Sequence, residues 1–340
     1  MLFENKIFKH CKKGAVKLAS LLTAGAIGIA SLAACDFNNT PDETEADSKV
    51  KVVATIFPQY DFSRQIAGDY ADVTMLLGPG EESHTYEPTP QDIITIQNAD
   101  VFIYVGGESD SWVDSILESF DTSSMEIISL MECVEPVEEE LVEGMEDIDD
   151  HGHDHAESGD DAEEVEYDEH VWTSIDNAQI ISQAIADALC DADKDNSLVY
   201  RSNCEKYLSE LSNLKKQFNS TVNNAQRKTI VFGDRFPLRY FADEFDLDYF
   251  AAFPGCAEQS EPSAGTVAFL IEKVREEDIP VVFKLELSNG KIAQTIAEST
   301  NAEVEVFNSC HNITPDDFNN GVTYIDMMTQ NLSVLEKALN

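Results

Sequence analysis

The 340-residue chain is poor in basic residues. It has 22 lysines and arginines against 65 aspartates and glutamates, so its formal net charge is −43 at pH 7. A surface of this sign repels nucleic acid and anionic lipid, and it attracts cations. The composition therefore argues against nucleic-acid binding and points to a cationic ligand.

Common enzyme motifs are also missing. The chain contains no HExxH or HxxEH zinc-hydrolase motif, no GxSxG nucleophile turn and no GxxxxGK[ST] phosphate-binding loop. Such motifs position a metal-bound water, a nucleophile or a nucleoside triphosphate. We therefore predict that the protein is not an enzyme, with a metallohydrolase as the disfavoured alternative.

The cysteines form no CxxC pair, so a structural zinc knuckle is not expected. Five cysteines follow the first 35 residues: Cys133, Cys190, Cys204, Cys256 and Cys310. The order of elements allows two bridges, Cys190–Cys204 and Cys256–Cys310. Free buried thiols are the alternative, because connectivity cannot be deduced from sequence.

The first 34 residues are typical of an export signal. Five lysines accompany an apolar stretch, Leu18 to Leu32, that is too short and too rich in small residues for a firm membrane span. It ends in Leu32-Ala33-Ala34-Cys35, which resembles a bacterial lipobox. We predict cleavage before Cys35, a lipid on that residue and a flexible tether over residues 35–49. Cleavage with an unmodified cysteine is the alternative.

This signal predicts a location outside the cytoplasm, on the outer face of the bacterial cell membrane. Cleavage removes five lysines and one glutamate from the totals, which leaves 17 basic and 64 acidic residues. The net charge of the processed chain is then −47. The remaining length of 306 residues suits two domains.

Strand-like and helix-like segments alternate over residues 50–196 and again over residues 225–340. Such alternation predicts an α/β fold, with parallel strands and helices on both faces. The strands are expected at 51–57, 72–77, 101–105, 126–130, 229–232, 247–253, 281–285 and 304–307. Helices of the second half are expected near 235–245, 263–278, 290–300 and 315–338.

A single long helix is predicted between the two halves. Residues 197–224 carry apolar side chains at steps of three and four and contain no glycine or proline. At 1.5 Å per residue the helix is about 42 Å long. A stiff helix of this length would link the two lobes and limit their relative motion.

An acidic, histidine-rich segment interrupts the first half. Residues 135–169 contain eighteen aspartates and glutamates and no lysine or arginine, and they include His151, His153 and His155. Imidazole binds Zn²⁺ well, and short histidine-rich tracts collect metal weakly. We predict auxiliary metal capture by this segment; a solvated acidic linker is the alternative.

Five further candidate metal ligands follow predicted strands: His84, His170, Asp234, Glu286 and His311. In open α/β sheets, ligands bind beyond the carboxyl ends of the strands. Two candidates come from the first half and three from the second. A cation held between lobes needs donors from both, which this distribution supplies.

Three segments resemble the cluster A-I substrate-binding proteins of zinc and manganese ABC transporters. They are residues 55–60 (TIFPQY), 78–88 (GPGEESHTYEP) and 168–172 (DEHVW), and the similarity spans residues 50–340. The resemblance implies two Rossmann-like lobes joined by a rigid backbone helix, with the metal between them. It also implies delivery of the metal to a membrane permease driven by a separate ATPase.

The resemblance also implies a ligand set. His84 and His170 match the family's first two histidine ligands, and Asp234 stands where a histidine or glutamate is usual. For the fourth ligand we choose His311, with Glu286 and Cys310 as alternatives. We therefore predict a monomeric zinc-binding protein for uptake, with a manganese-binding member or a metal-dependent surface adhesin as alternatives.

Overall fold

Two four-stranded parallel sheets form the frame of the chain. A computed structural model describes residues 49–81, 86–145, 166–256 and 262–340. The first sheet has the order β2-β1-β3-β4 and the second the order β6-β5-β7-β8, and all pairs are parallel. The strands are β1 Val50–Ala54, β2 Ala71–Met75, β3 Val101–Tyr104, β4 Glu126–Ser129, β5 Thr229–Phe236, β6 Asp248–Pro254, β7 Val281–Leu285 and β8 Glu303–Phe307. The predicted α/β class is confirmed.

Helices follow most of the strands, as parallel pairing requires. Within the described ranges they are α1 Phe57–Ala67, α2 Pro90–Gln97, α3 Trp112–Leu117, α4 Leu130–Cys133, α5 Ile175–Ala192, α6 Ser197–Asn223, α7 Arg239–Phe245, α8 Ala264–Glu276, α9 Lys291–Ser299, α10 Pro315–Asn319 and α11 Tyr324–Leu339. Capping boxes begin two of them. At the start of α2, the Thr89 side chain accepts from the Asp92 backbone N–H and the Asp92 side chain accepts from that of Thr89. Thr323 and Asp326 make the same pair of bonds at the start of α11.

Helix α6 is the predicted long helix and has 27 residues. It contacts α1 and α5 of the first half and α7 and α11 of the second. Tyr207 of α6 packs against Phe62 of α1, and Phe218 packs against Phe241 of α7. One buried stripe of α6 therefore serves the cores of both lobes, which confirms the bridging role predicted for this helix.

Direct hydrogen bonds also join the two lobes. The buried Asp61 carboxylate on α1 accepts from the backbone N–H of Tyr324 on α11 at 2.8 Å. The Tyr324 hydroxyl donates in turn to the carbonyl oxygen of Trp172 at 2.8 Å. Arg64, paired with Asp61, donates to the carbonyl oxygen of Val322 at 3.1 Å. The lobes thus share a polar network as well as a hydrophobic core.

The two ends of the acidic segment are tied together beside this core. Glu138 and Tyr167 form an antiparallel bridge. The Glu139 N–H donates to the carbonyl oxygen of Glu166 at 2.9 Å, and the Asp168 N–H donates to that of Val137 at 3.0 Å. The segment therefore leaves and re-enters the first lobe at one point, directly before His170.

Two predicted boundaries in the second half were wrong. Strand β5 continues to Phe236 across a register shift between Phe232 and Arg235, so the helix expected from residue 235 begins at Arg239. The helix expected over residues 315–338 is divided into α10 and α11. Gly321, with φ of 73°, lies in the break, where the backbone conformation favours glycine.

Both suggested disulfide bridges were wrong. Cys133, Cys190, Cys204, Cys256 and Cys310, all in the described part of the chain, are free thiols. The Cys204 thiol contacts the carbonyl oxygen of Ser182 on α5 at 3.7 Å. It behaves as a small buried hydrophobic residue between α5 and α6, as free cysteines often do.

Several predictions fall outside the described residues. They concern the export signal, the lipid site Cys35, the ligand His84 and the loop histidines His151, His153 and His155. Within the described ranges, no helix is both long and apolar enough to cross a bilayer.

Candidate metal site

A cavity of about 260 Å³ lies at the carboxyl ends of the strands, between the two lobes. The first lobe contributes His170 to its lining, and the second contributes Asp234, Glu286 and His311. Four of the five strand-end candidates therefore face one space. The cavity lies at the place where the sequence predicts a bound cation. The identity of its ligands stays a prediction.

His170 is held in place by the residue two positions before it. Its ring is only 1 % exposed, and Nδ1 lies 3.0 Å from Oδ1 of Asp168. The backbone N–H of His170 donates to the same oxygen at 2.7 Å. A carboxylate acceptor keeps the proton on Nδ1 and leaves Nε2 for a metal, as in many metal-bound histidines.

The surroundings of His170 favour its protonated form. Burial lowers the pKa of the ring, but the neighbouring Asp168 carboxylate and the Cys256 side chain raise it, so that the net pKa is well above the ordinary value. Zn²⁺ binds only the neutral imidazole. Protons and Zn²⁺ therefore compete for His170.

We expect this competition to appear as two opposite pH dependences. Because the folded-state pKa of His170 is raised, its contribution to the free energy of unfolding is fully present below the unfolded-state pKa and is lost as pH rises through the folded-state pKa. Zinc affinity should rise over the same range as the proton is lost. Urea denaturation of the metal-free protein at several pH values measures the free energy of unfolding, and zinc titrations at the same pH values measure the affinity.

Asp168→Asn is the diagnostic variant, because asparagine keeps the shape but removes the charge that raises the His170 pKa. Both pH dependences should shrink in this variant. Zinc affinity should fall about 10- to 100-fold, the usual cost of losing a residue that orients a metal-bound histidine. Unchanged pH profiles would show that Asp168 does not control His170.

His311 lies in the loop after β8, against the first lobe's site residues. Its ring centroid is 5.3 Å from that of His170 and 4.9 Å from that of Trp172. The indole Nε1 of Trp172 donates to the carbonyl oxygen of Ser309 at 3.0 Å. Trp172 thus links the His170 segment to the His311 loop.

Two carboxylates on the second lobe are anchored by hydrogen bonds. Asp234 Oδ2 accepts from the Leu285 N–H at 3.1 Å, and Oδ1 accepts from the Arg235 N–H at 3.0 Å. Glu286 accepts from the Ser309 N–H and hydroxyl, each at 2.8 Å. Burial raises the pKa of Glu286, and the bonds from Ser309 oppose the rise. Asp234 lies inside β5, at its register shift, and not after the strand as predicted.

Cys310, the other alternative ligand, is not among the residues that line the cavity. It is 1 % exposed, and its backbone has φ of 58°. Its thiol lies 4.0 Å from the carbonyl oxygen of Asn308. This geometry favours a packing role for Cys310.

The loop that leads to His84 is fastened to the His311 loop. Asn312 Nδ2 donates to the carbonyl oxygens of Gly78 and Glu81 at 3.1 and 2.6 Å. Glu81 also lines the cavity. Among the described residues alone, no three histidine, cysteine, aspartate or glutamate side chains form a complete metal centre.

Sequence reasoning missed two contacts of His170. Asp168 entered the sequence analysis only as part of the DEHVW segment, and Cys256 only as half of a possible bridge. Cys256 follows the carboxyl end of β6, and its side chain is among the groups that raise the pKa of His170. Its strand-end position was the available signal, the same one that identified the other candidates.

Two α/β lobes on a shared helix, with donor side chains facing a cavity between them, define a substrate-binding protein for a metal ion. The chain belongs to the family described as zinc-uptake complex component A, periplasmic, whose profile matches residues 52–338. This family consists of substrate-binding proteins of metal uptake systems, which confirms the prediction that the chain is not an enzyme.

Individual relatives agree with this assignment. The chain is 32 % identical over 311 residues to the high-affinity zinc uptake system protein ZnuA of Bacillus subtilis, covering 91 % of this chain and 93 % of that protein. It is 30 % identical over 312 residues to the zinc-binding lipoprotein AdcA of Streptococcus pneumoniae. That match covers 91 % of this chain but only 60 % of the longer relative.

A solved structure has the same fold. The crystal structure of the Zn(II)-bound ZnuA-like domain of Streptococcus pneumoniae AdcA superposes with a TM-score of 0.68 at 27 % sequence identity. The match covers 86 % of this chain and 99 % of that domain.

Proposed function

We propose that the chain is an extracytoplasmic zinc-binding protein that captures Zn²⁺ between its lobes and delivers it to an ABC permease driven by a separate ATPase. One observation carries the proposal: imidazoles from both lobes, His170 and His311, lie with ring centroids 5.3 Å apart at a cavity that two carboxylates also line. Mixed nitrogen and oxygen donors suit four-coordinate zinc. The family and the named relatives support zinc as the ion.

The proposed ligands are His84, His170, Asp234 and His311. His84 would complete the set from the loop that Asn312 fastens to the cavity. Glu286 is the alternative fourth donor. Since two carboxylates in the shell would make the site harder, manganese binding is the second candidate function.

The route to the site is also part of the proposal. A lipid on Cys35 would hold the protein at the outer face of the membrane, close to its permease. His151, His153 and His155 would collect Zn²⁺ weakly from the surroundings. The tied ends of their segment lie next to His170, so collected ions would be released near the cavity. The protein would act as a monomer.

A competition titration tests the proposal. The purified protein should bind one equivalent of Zn²⁺ tightly, and Zn²⁺ should displace bound Mn²⁺, because imidazole donors and the metal affinity order both favour zinc. In its own host, deletion of the gene should slow growth only at low zinc, and added zinc should restore growth. Tighter binding of Mn²⁺ than of Zn²⁺ would instead support the second candidate function.

A further inference from the structure

The Tyr240 hydroxyl is a hydrogen-bonded junction between the two lobes. Tyr240 lies on α7 of the second lobe and is 5 % exposed. Its hydroxyl donates to the carbonyl oxygen of Asp168 at 2.7 Å and accepts from the Val137 N–H at 3.1 Å. One atom of the second lobe therefore binds both tied ends of the acidic segment, directly before His170.

This hydroxyl takes the place of one bond between antiparallel strands. Where two antiparallel residues form a hydrogen-bonded pair, each N–H donates to the carbonyl oxygen of the other. Val137 and Asp168 make one of these bonds directly, from the Asp168 N–H to the Val137 carbonyl oxygen at 3.0 Å. The path from the Val137 N–H to the Asp168 carbonyl oxygen runs through the Tyr240 hydroxyl. The spacing of the two backbones at this point thus depends on a side chain of the second lobe.

The junction acts on His170 through Asp168. Oδ1 of Asp168 accepts from the backbone N–H of His170 at 2.7 Å and lies 3.0 Å from Nδ1 of its ring. Tyr240 lies outside the set of described residues that line the cavity. An effect of Tyr240 on a bound metal must therefore pass through the backbone of Asp168.

Residues 137–145, at the outgoing end of the acidic segment, form a clasp across the second lobe. The Glu140 carboxylate lies 3.2 Å from Nη1 of Arg239 on α7. The Glu139 carboxylate accepts from the Cys256 N–H, which follows β6, at 3.1 Å. The clasp therefore contacts the second lobe well beyond its first residue.

The far end of the clasp fits closely against α8. Gly144 has φ of 92°, and a Cβ atom added there would lie 2.1 Å from Cδ1 of Phe269. The Glu143 carboxylate lies 3.8 Å from Nζ of Lys273 on the same helix. Since ion pairs that solvent reaches contribute little to stability, the close approach of glycine is the more specific contact at this end.

We propose that Tyr240 is a positioning residue for the metal site and that, together with the clasp, it makes the placement of His170 depend on the docking of the second lobe. This inference rests on the proposed function and specifies how the second lobe acts on a ligand of the first. While the lobes are docked, the hydroxyl fixes Asp168 and hence the imidazole. When the lobes separate, Asp168 loses this bond, His170 is freer to turn, and Zn²⁺ dissociates faster.

Tyr240→Phe tests the proposal on the full chain, because phenylalanine keeps the ring and removes only the hydroxyl. The Zn²⁺-loaded protein is mixed with excess chelator, and the dissociation rate is followed by stopped flow. We expect dissociation to be about 10- to 100-fold faster, matching the usual loss of affinity when an outer partner of a metal-bound histidine is removed. The association rate should change much less, since a loosened bound state acts mainly on dissociation.

Tyr200→Phe is the matched control. Tyr200 is a buried residue of α6, and its hydroxyl donates to the Asp193 carboxylate at 2.8 Å. Both variants should lower the free energy of unfolding, because each loses a hydrogen bond of a tyrosine hydroxyl. Only Tyr240→Phe should change the zinc dissociation rate, which separates positioning from a general loss of stability.

A second pair of variants tests the clasp. Gly144→Val should push the clasp away from Phe269 and make Zn²⁺ dissociate faster. Phe269→Ala in the same chain returns space to the new side chain, so the double variant should bring the rate back towards that of the unaltered protein. These variants decide the question if Tyr240→Phe does not fold, as judged by circular dichroism.

The outcomes separate this proposal from the function itself. An unchanged dissociation rate in folded Tyr240→Phe, or an equal increase in Tyr200→Phe, would overturn the role of Tyr240 and leave zinc capture intact. If Tyr240→Phe does not fold, an unchanged rate in Gly144→Val has the same meaning. Failure of the unaltered protein to bind Zn²⁺ tightly would overturn both this proposal and the proposed function.

Discussion

His170→Ala is expected to weaken Zn²⁺ binding by at least about 100-fold, because loss of a residue that merely orients a ligand already costs 10- to 100-fold. His170 is buried, its orientation is fixed by Asp168, and its ring faces the ring of His311 across the cavity. Competition titration against a chelator of known affinity measures the loss.

The matched control replaces the three loop histidines, His151, His153 and His155, by alanine together. This variant should keep one tight Zn²⁺ equivalent and lose only weaker ones, since these residues are proposed to collect metal and not to hold it. The double variant His84→Ala/His170→Ala should bind no Zn²⁺ tightly. Tight stoichiometric binding by that double variant would rule out the proposed site.

Trp172→Ala is expected to lower the free energy of unfolding of the metal-free protein by about 3–5 kcal/mol, the usual cost of removing a buried aromatic side chain. Trp172 is 1 % exposed and lies among the largest buried side chains of the described residues. Its indole donates to Ser309, and its carbonyl oxygen accepts from Tyr324, so it contacts both the His311 loop and α11. Urea denaturation measures the loss.

Two further variants separate packing from hydrogen bonding. Trp172→Phe keeps most of the apolar volume but removes the donor to the Ser309 carbonyl, which should cost about 1–3 kcal/mol. Trp112→Ala removes the other tryptophan, which is only half-buried at the edge of a smaller core, and should cost less than Trp172→Ala. Equal losses in Trp112→Ala and Trp172→Ala would contradict the bridging role of Trp172.

The strands and the long helix could be predicted from the sequence because the pattern of apolar residues within each element is local. Strand β7 occupies the expected residues 281–285, and the stripe of buried side chains on α6 repeats at the expected three- and four-residue steps. Such patterns depend on the period of one element and need no knowledge of its neighbours. They also placed Glu286 directly after β7 and His311 in the loop after β8.

The errors arose where distant parts of the chain decide the structure. Gly233 and Asp234 look like the end of a strand, yet β5 continues past them with a register shift against β6, and the Leu285 N–H on β7 donates to the Asp234 carboxylate. The apolar pattern of residues 315–338 also passes through the break at Gly321. A helix period alone could not predict that break.

The contacts of the candidate site were the least predictable. Gly255 lies in the second lobe and His170 in the first, and no spacing in the sequence connects them. A Cβ atom added at Gly255 would lie 3.2 Å from Cε1 of His170, so glycine there allows the backbone to approach the imidazole ring. Such pairs become visible only once both lobes are placed on α6.

The paired stems of the acidic segment separate sequence changes within that segment from sequence changes that alter the metal cavity. Glu138 pairs with Tyr167 and Val137 with Asp168, and these pairs fix the backbone just before His170. We expect insertions, deletions or substitutions within residues 146–165 to leave this part of the backbone in place, because the bonds that hold it lie outside that range. Metal collection by the segment can therefore change in evolution without a change in the cavity. For the same reason, a foreign peptide can be inserted between the stems without redesign of the cavity.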